Sequence, residues 1–228
     1  MYKIYKNGIA MKKYLFAALL AGLSLAAFAQ AKDAVENSEN PRIGFALQPQ
    51  TLLYNGLRID IQPYLKPSHQ LVIAPQLYYF NGDASNFSLY DNGNDISDMK
   101  GLGLELNYRI FPKEGKPLYW ALGINYNFFQ AGYLATTFYN TDENGLPTYE
   151  YGSVNNQQNI NRVGASAVMG WQIPTLYGFF FDLYWGVGFR YSFVNKRYDD
   201  DISFDGGMWS MARRGNYLVL GAKIGFEL

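Results

Sequence analysis

The sequence predicts an all-β fold in which eight antiparallel strands close into an up-and-down barrel. Three observations predict it. Stretches of about ten residues alternate strictly, so that each divides into two faces of a sheet. One face is large, apolar and aromatic, while the other mixes Gly, Asn, Gln and charge. The connections alternate between short turns and long polar loops.

The hairpin from Gly101 to Phe129 shows the pattern best. Leu102, Leu104, Leu106, Tyr108 and Ile110 share one face, opposed by Gly103, Glu105, Asn107, Arg109 and Phe111. After the polar turn Pro112 to Pro117, Leu118, Trp120, Leu122, Ile124, Tyr126 and Phe128 alternate with Tyr119, Ala121, Gly123, Asn125, Asn127 and Phe129. An uncharged aromatic face against a polar one suits a wall with lipid outside and a polar filling inside, so the barrel is read as transmembrane. A soluble eight-stranded cup needs the reverse facing.

The other elements follow in order. The first strand spans Arg42 to Gln50, with Ile43, Phe45 and Leu47 outward. The second, Asn55 to Leu65, sets Leu57, Ile59 and Ile61 against Arg58, Asp60 and Gln62. A turn at Lys66 to His69 leads to the third, Gln70 to Phe80. Pro63 and Pro75 fall within these two strands, where a missing N–H predicts bulges or frayed pairing. Long connections are expected at Asn81 to Asp98, Ala131 to Asn159 and Val194 to Met211. Between them lie the sixth strand, Ile160 to Ile173, and the seventh, Gly178 to Phe193, joined by a turn at Pro174 to Tyr177. The eighth, Arg214 to Leu228, ends the chain. Each is near the roughly 9–11 residues that cross a tilted bilayer span. With both termini on one side, all short turns fall on that side and all long loops on the other.

Nine charges face inward by this parity: Arg58, Asp60, Glu105, Arg109, Arg162, Asp182, Arg190, Lys223 and Glu227. Four strands carry two of them each, and within every such strand the two agree in facing. An Arg or Lys facing lipid at mid-depth costs about 2–4 kcal/mol. Inside, five cations and four anions can pair, and an eight-stranded barrel holds little more than side chains. These charges are therefore expected to fill the lumen, together with the inward glycines 103, 123, 164, 170, 186 and 188. A narrow channel or a carrier of small molecules is the alternative.

At the N-terminus, Lys12 and Lys13 precede an apolar run from Leu15 to Phe28 that ends in Ala27-Phe28-Ala29. This is a secretory signal pattern with a start at Met11, giving residues 1–29 as a signal peptide, 30–41 as a flexible lead-in and 42–228 as the barrel. Cleavage after Ala29 leaves 199 of the 228 residues and removes Lys3, Lys6, Lys12 and Lys13, so 15 basic residues face 19 acids, a net charge of −4. That argues against nucleic acid as a partner.

No catalytic, cofactor or metal site is expected. The chain has no Cys and one His, His69, placed in a short turn. Ser166 and Asp182 face the lumen on neighbouring strands without a base to complete a triad. The outer loops carry oxygen-rich clusters, Asp91-Asn92-Gly93-Asn94-Asp95 and Asp199, Asp200, Asp201 and Asp205, neither with a full EF-hand pattern. Lys196, Arg197, Arg213 and Arg214 are placed to meet lipid phosphates, and Tyr133, Tyr191 and Trp209 to act as interfacial anchors. Thr136 to Tyr139 and Thr148 to Tyr151 form a hairpin around Asn144-Gly145, whose open edge can take up a partner's strand.

From Pro41 to Leu228 the architecture resembles the small eight-stranded outer-membrane barrels of the OmpX/OmpA transmembrane type, and more loosely barrel proteins common in Bacteroidetes. The most specific match is at the end: Gly221, Ile224, Phe226 and Leu228 resemble the C-terminal assembly signal of such proteins, with Leu where Phe is usual. The resemblance implies a monomer in the bacterial outer membrane, in contact with lipid and lipopolysaccharide and inserted by the barrel-assembly machinery. It implies a structural, adhesive or surface-interaction role through extracellular loops, and no catalysis.

Overall fold

The structure is a computed structural model that describes residues 42–81, 96–113, 115–143, 146–198, 200, 204 and 210–228. The signal-peptide and lead-in segments, the Asp91–Asp95 cluster, the Asn144-Gly145 turn and Trp209 lie outside the described residues. Eight strands follow one another: β1 Ile43–Leu47, β2 Gly56–Lys66, β3 His69–Asn81, β4 Ile96–Ile110, β5 Leu118–Glu143, β6 Leu146–Pro174, β7 Phe179–Lys196 and β8 Gly215–Glu227. Each pairs antiparallel with the next, and β8 returns to β1, so the sheet is a closed barrel. Backbone bonds from Ile43 N to Leu228 O (3.3 Å) and from Leu228 N to Ile43 O (3.0 Å) finish the seam. Closure leaves no open edge within the wall.

The register fixes the size. Stepping sideways from Gly215 of β8 through Arg190, Gly164, Asn125, Glu105, Ala74, Asp60 and Ala46 returns to β8 at Gly225, ten residues further on. A stagger of this order tilts the strands by about 35–45° and leaves an interior just wide enough for side chains.

Alternation sorts the side chains as a two-residue period requires. Leu57, Leu102, Leu122, Ile124, Trp185, Val187 and Leu220 are exposed on the outer wall, while Arg58, Asp60, Gln62, Arg109, Asp182 and Lys223 are buried inside. This is the inverse of a soluble protein's burial pattern.

Several elements depart from the sequence expectation. A 3-10 turn over Pro49–Tyr54, started by its proline and closed by Asn55 with positive φ (53°), joins β1 to β2. The β2–β3 ladder keeps one register across both prolines, from Gly56↔Tyr78 through Ile61↔Ile73 to Tyr64↔Gln70. Its pairs skip the residues opposite Pro63 and Pro75, so pairing frays there without a bulge. The one shift lies between Tyr64 and Lys66. The larger difference is in β5 and β6, which run straight through the expected connection Ala131 to Asn159, so that the hairpin expected over Thr136–Tyr139 and Thr148–Tyr151 is present as part of one longer strand pair. Their pairing continues unbroken from Leu118↔Trp171 to Glu143↔Leu146.

A filled lumen and a free hairpin

The lumen is layered. At the short-turn end, Phe111 and Tyr119 pack with Ala121 and the partly buried Tyr64 and Tyr184. The ring centroids of Phe111 lie 5.6 Å from Tyr119 and 6.2 Å from Tyr64. Strand β6 has glycine at 170 because a Cβ there would enter the Tyr119 ring.

Above this aromatic floor lies the first charged layer. Arg109 on β4 reaches across the lumen to Asp182 on β7, Nη2 to Oδ2 at 2.7 Å, and Tyr119 donates its hydroxyl to Oδ1 of the same carboxylate at 2.6 Å. Arg109 also donates to the side-chain oxygens of Gln70 (3.2 Å) and Gln172 (3.3 Å), and its guanidinium lies 4.4 Å from the Tyr119 ring. Gln172 in turn donates to Glu227 at 2.6 Å, and Tyr64 donates to the same Glu227 oxygen at 2.9 Å. Every strand except β1 contributes to this layer.

The second layer centres on Asp60, which is fully buried. Arg58 donates to it through Nε at 2.7 Å, and Lys223 through Nζ at 2.5 Å. The same Arg58 donates to Glu105, Nη1 to Oε2 at 2.7 Å, and Glu105 also accepts from Asn107 at 2.7 Å. Buried charges survive only when paired and hydrogen-bonded. Here three cations, Arg58, Arg109 and Lys223, meet three of the four acids, Asp60, Glu105 and Asp182, while Glu227 is held by the neutral donors Gln172 and Tyr64. Arg162 and Arg190 sit one layer higher. Arg162 donates to Asn127 Oδ1 at 3.1 Å and lies 4.8 Å from the Phe129 ring; Arg190 lies 4.8 Å from the Tyr217 ring.

An apolar cap closes the other end. Ile96, Met99, Phe129, Ala131, Tyr133, Ala135 and Ile160 from the strands pack with Phe204, Met211 and Ala212 from the segment between β7 and β8. That segment is pinned at Asp200, which accepts from Lys196 Nζ at 2.7 Å, Tyr133 OH at 2.9 Å and Asn156 Nδ2. Burial alone would raise the Asp200 pKa, but these donors outweigh it and hold the carboxyl below its ordinary value.

The other residues singled out in the sequence fall as follows. Tyr133 is not an interfacial anchor: it is 1% exposed and turned into the cap, because β5 continues and odd-numbered residues keep facing inward. Tyr191 does lie on the outer wall, with the Arg214 guanidinium 4.9 Å from its ring, while Arg214 Nε donates to Ser192 O at 2.8 Å. His69 is at the short-turn end, its Nδ1 2.8 Å from the Tyr108 hydroxyl. Ser166 and Asp182 are not brought together: Asp182 pairs opposite Gln172, six residues along β6 from Ser166. Among the described residues no cluster of three metal-ligating side chains occurs. A shallow concavity of about 650 Å³ dips at Ala165 and Ala167 between Leu122, Val187 and Phe189, on the outer wall rather than in the lumen. Gly221 leaves space that a Cβ would take from the Tyr184 ring, and Ile224, Phe226 and Leu228 lie along the closing seam.

Beyond the cap, β4 stops pairing with β5 at Ile96↔Tyr133, and β7 stops pairing with β6 at Gln158↔Lys196. Among the described residues, the strands of the hairpin from Leu134 onward therefore pair only with each other, their ten pairs spanning roughly 30 Å along the strands.

No family model matches this chain, and no curated protein matches it. Two solved structures are similar in shape. A major outer membrane protein from Thermus thermophilus shares 15% identity at a TM-score of 0.45, covering 82% of this chain and 98% of its own. CarO of Acinetobacter baumannii shares 12% at a TM-score of 0.42, covering 85% of this chain and 99% of its own.

Proposed function

We propose that this chain is a monomeric integral barrel of the bacterial outer membrane, with a sealed lumen and a surface-interaction role carried by its outer end. The observation that carries the membrane reading is the inverted burial: leucines, valines and tryptophans outside, ion pairs inside. On β6 the apolar outward residues run from Val163 to Ile173; ten steps at ~3.3 Å and a tilt near 40° give a band of about 25 Å, the thickness of a barrel's apolar belt. Tyr108, Trp120, Trp171 and Phe226 flank that band at the short-turn end, and Tyr79 and Tyr191 at the other, where Lys100 and Arg214 also lie exposed. Residues 1–29 act as the export signal in this reading. The closing strand with Gly221, Ile224, Phe226 and Leu228 is what the assembly machinery recognises.

The sealed-lumen reading rests on the aromatic floor, the two paired layers and the apolar cap, stacked in one interior with room only for side chains. In this reading the lumen carries no transport, and the β5–β6 hairpin is the described element that rises beyond the cap to meet a partner. Fractionation tests the first half: the protein is expected in outer-membrane fractions and to migrate differently in SDS gels before and after heating. Recovery in the soluble periplasm without a heat shift would refute it. Planar-bilayer recording tests the second half: no steady conductance is expected, and an ohmic current altered by Arg109→Ala would support a channel instead.

A further inference from the structure

The β5–β6 hairpin beyond the cap has two faces of different chemistry. The register places Leu134↔Asn155, Thr136↔Ser153, Phe138↔Tyr151 and Asn140↔Tyr149 as facing pairs. Their even numbers on β5 continue the parity of Trp120, Leu122 and Ile124, so all eight share the outward face. Below, that parity meets the apolar wall. Here, eight or more residues above the aromatic rim, no hydrocarbon is within reach. Yet Phe138, Tyr149 and Tyr151 remain 65%, 74% and 66% exposed. The Phe138 and Tyr151 rings are 4.9 Å apart and inclined at 54°, and Tyr149 stands on the next outward pair.

The described side chains beside these rings are Leu134, hydroxyls and amides, with Asp142 at the next outward position of the register. Thr136 and Ser153 face each other at 3.5 Å, and Asn140 and Asn155 flank the aromatic group. None of the eight side chains is charged. The carboxylate of Glu150 belongs to the opposite face, where it accepts from Tyr139 OH at 3.1 Å. A neutral aromatic platform edged with donors and acceptors is poorly matched to phosphates, nucleic acids or a charged protein surface, which recruit Arg, Lys or carboxylates. It is well matched to the flat C–H face of a neutral sugar ring, which stacks on aromatic rings by dispersion and weak C–H···π contacts while its hydroxyls bond to amides at the margin.

We infer that the outward face of the β5–β6 hairpin is a binding platform for neutral polysaccharide, with Phe138, Tyr149 and Tyr151 as stacking residues and Asn140 and Asn155 as polar contacts. The inference rests on the surface-interaction reading above and names its ligand class. The hairpin edges, which pair with no other described strand, offer a different partner, a protein strand added by backbone pairing, which the test separates.

The purified full chain in detergent is run through native gels containing dextran, mannan, galactan or xylan, with polygalacturonate as the anionic comparison. At least one neutral polymer is expected to retard the wild type, with Phe138→Ala and Tyr151→Ala each losing tenfold or more in apparent affinity. Tyr139→Ala, on the opposite face, is expected to stay within twofold. Heat-shifted migration of each variant confirms its fold. The inference is overturned if no neutral polymer retards the wild type, if Tyr139→Ala loses as much as Phe138→Ala, or if only polygalacturonate binds. Capture of a peptide strand unaffected by Phe138→Ala, without polysaccharide binding, would replace it with edge pairing. A tag inserted between Asn144 and Gly145 keeps the two readings apart: if the tag is inaccessible on intact cells the surface reading fails, whatever the gels show.

Discussion

Replacing Asp60 by Asn removes a charge from a fully enclosed carboxylate of the lumen while keeping its shape. In the native protein it accepts from Arg58 and Lys223 and is fully buried. Arg58 retains Glu105 after the change, but Lys223 loses the carboxylate it donates to and keeps the Tyr184 ring at 4.8 Å, with the cations Arg58 and Arg109 still near it. Two unit charges about 4 Å apart attract by about 4 kcal/mol at an effective dielectric near 20. Breaking one partner of a buried pair costs about 3–5 kcal/mol, mostly the penalty of the stranded charge. Asp60→Asn is thus expected to destabilise the barrel by about 3 kcal/mol. Lys223→Met alone should cost less, roughly 1–3 kcal/mol, because Arg58 still satisfies Asp60. The double variant restores the lumen's original excess of one cation, so the two effects should fall short of additivity by about 2 kcal/mol. Denaturant unfolding in lipid vesicles, followed by the fluorescence of Trp120, Trp171 and Trp185, measures all three. Strict additivity, with Asp60→Asn within about 0.5 kcal/mol of wild type, would mean that water screens this layer, and the filled-lumen reasoning would be refuted.

Three further outcomes follow from other parts of the molecule. Leu122→Arg, in the middle of the outer wall, should cost about 2–4 kcal/mol and lower the inserted yield, as measured by the heat-shifted fraction after refolding into vesicles. Gly221→Val should block folding by driving a side chain into the Tyr184 ring, and Tyr184→Ala should restore it; failure of that rescue would point to the residue's role in assembly instead. The Asp200 anchor should weaken in acid. Its folded pKa lies below the ordinary value, so its stabilisation is whole above about pH 4 and is lost as pH falls through the lowered value. Protease sensitivity of the β7–β8 connection should rise in that range for the wild type, and Asp200→Asn should show the raised sensitivity already at pH 7.

How much of this is legible in the sequence depends on what each strand faces. Where a strand separates an apolar outer wall from a polar lumen, alternation is sharp, and residues such as Leu122 and Asn107 declare their sides. Above the apolar belt the outward face is no longer uniformly apolar, so the run Asn155 to Asn159 looks like loop although it is strand, with Asn156 and Gln158 buried and Asn155 exposed. Tyr133 misleads for the same reason. Which charges pair is not legible either: Arg109 and Asp182 sit on β4 and β7, and only the ten-residue stagger of the closed barrel brings them together. The cap residues Phe204, Met211 and Ala212 belong to a connection with no periodicity, so nothing in their spacing marks them as core. Pro63 and Pro75 signal weak pairing correctly, but register is held by the residues around them.

If the wall is inverted, with lipid outside and a filled polar interior within, β5 must show it residue by residue. The chain has no native cysteine, so single cysteines can be placed along that strand at will. Spin labels at positions 118, 120, 122, 124, 126 and 128 in vesicles should report high access to dissolved oxygen and low access to a water-soluble nickel complex. Labels at 121, 123, 125 and 127 should be shielded from both. Water access at 122 and 124 equal to that of a surface loop, with no period of two, would contradict it.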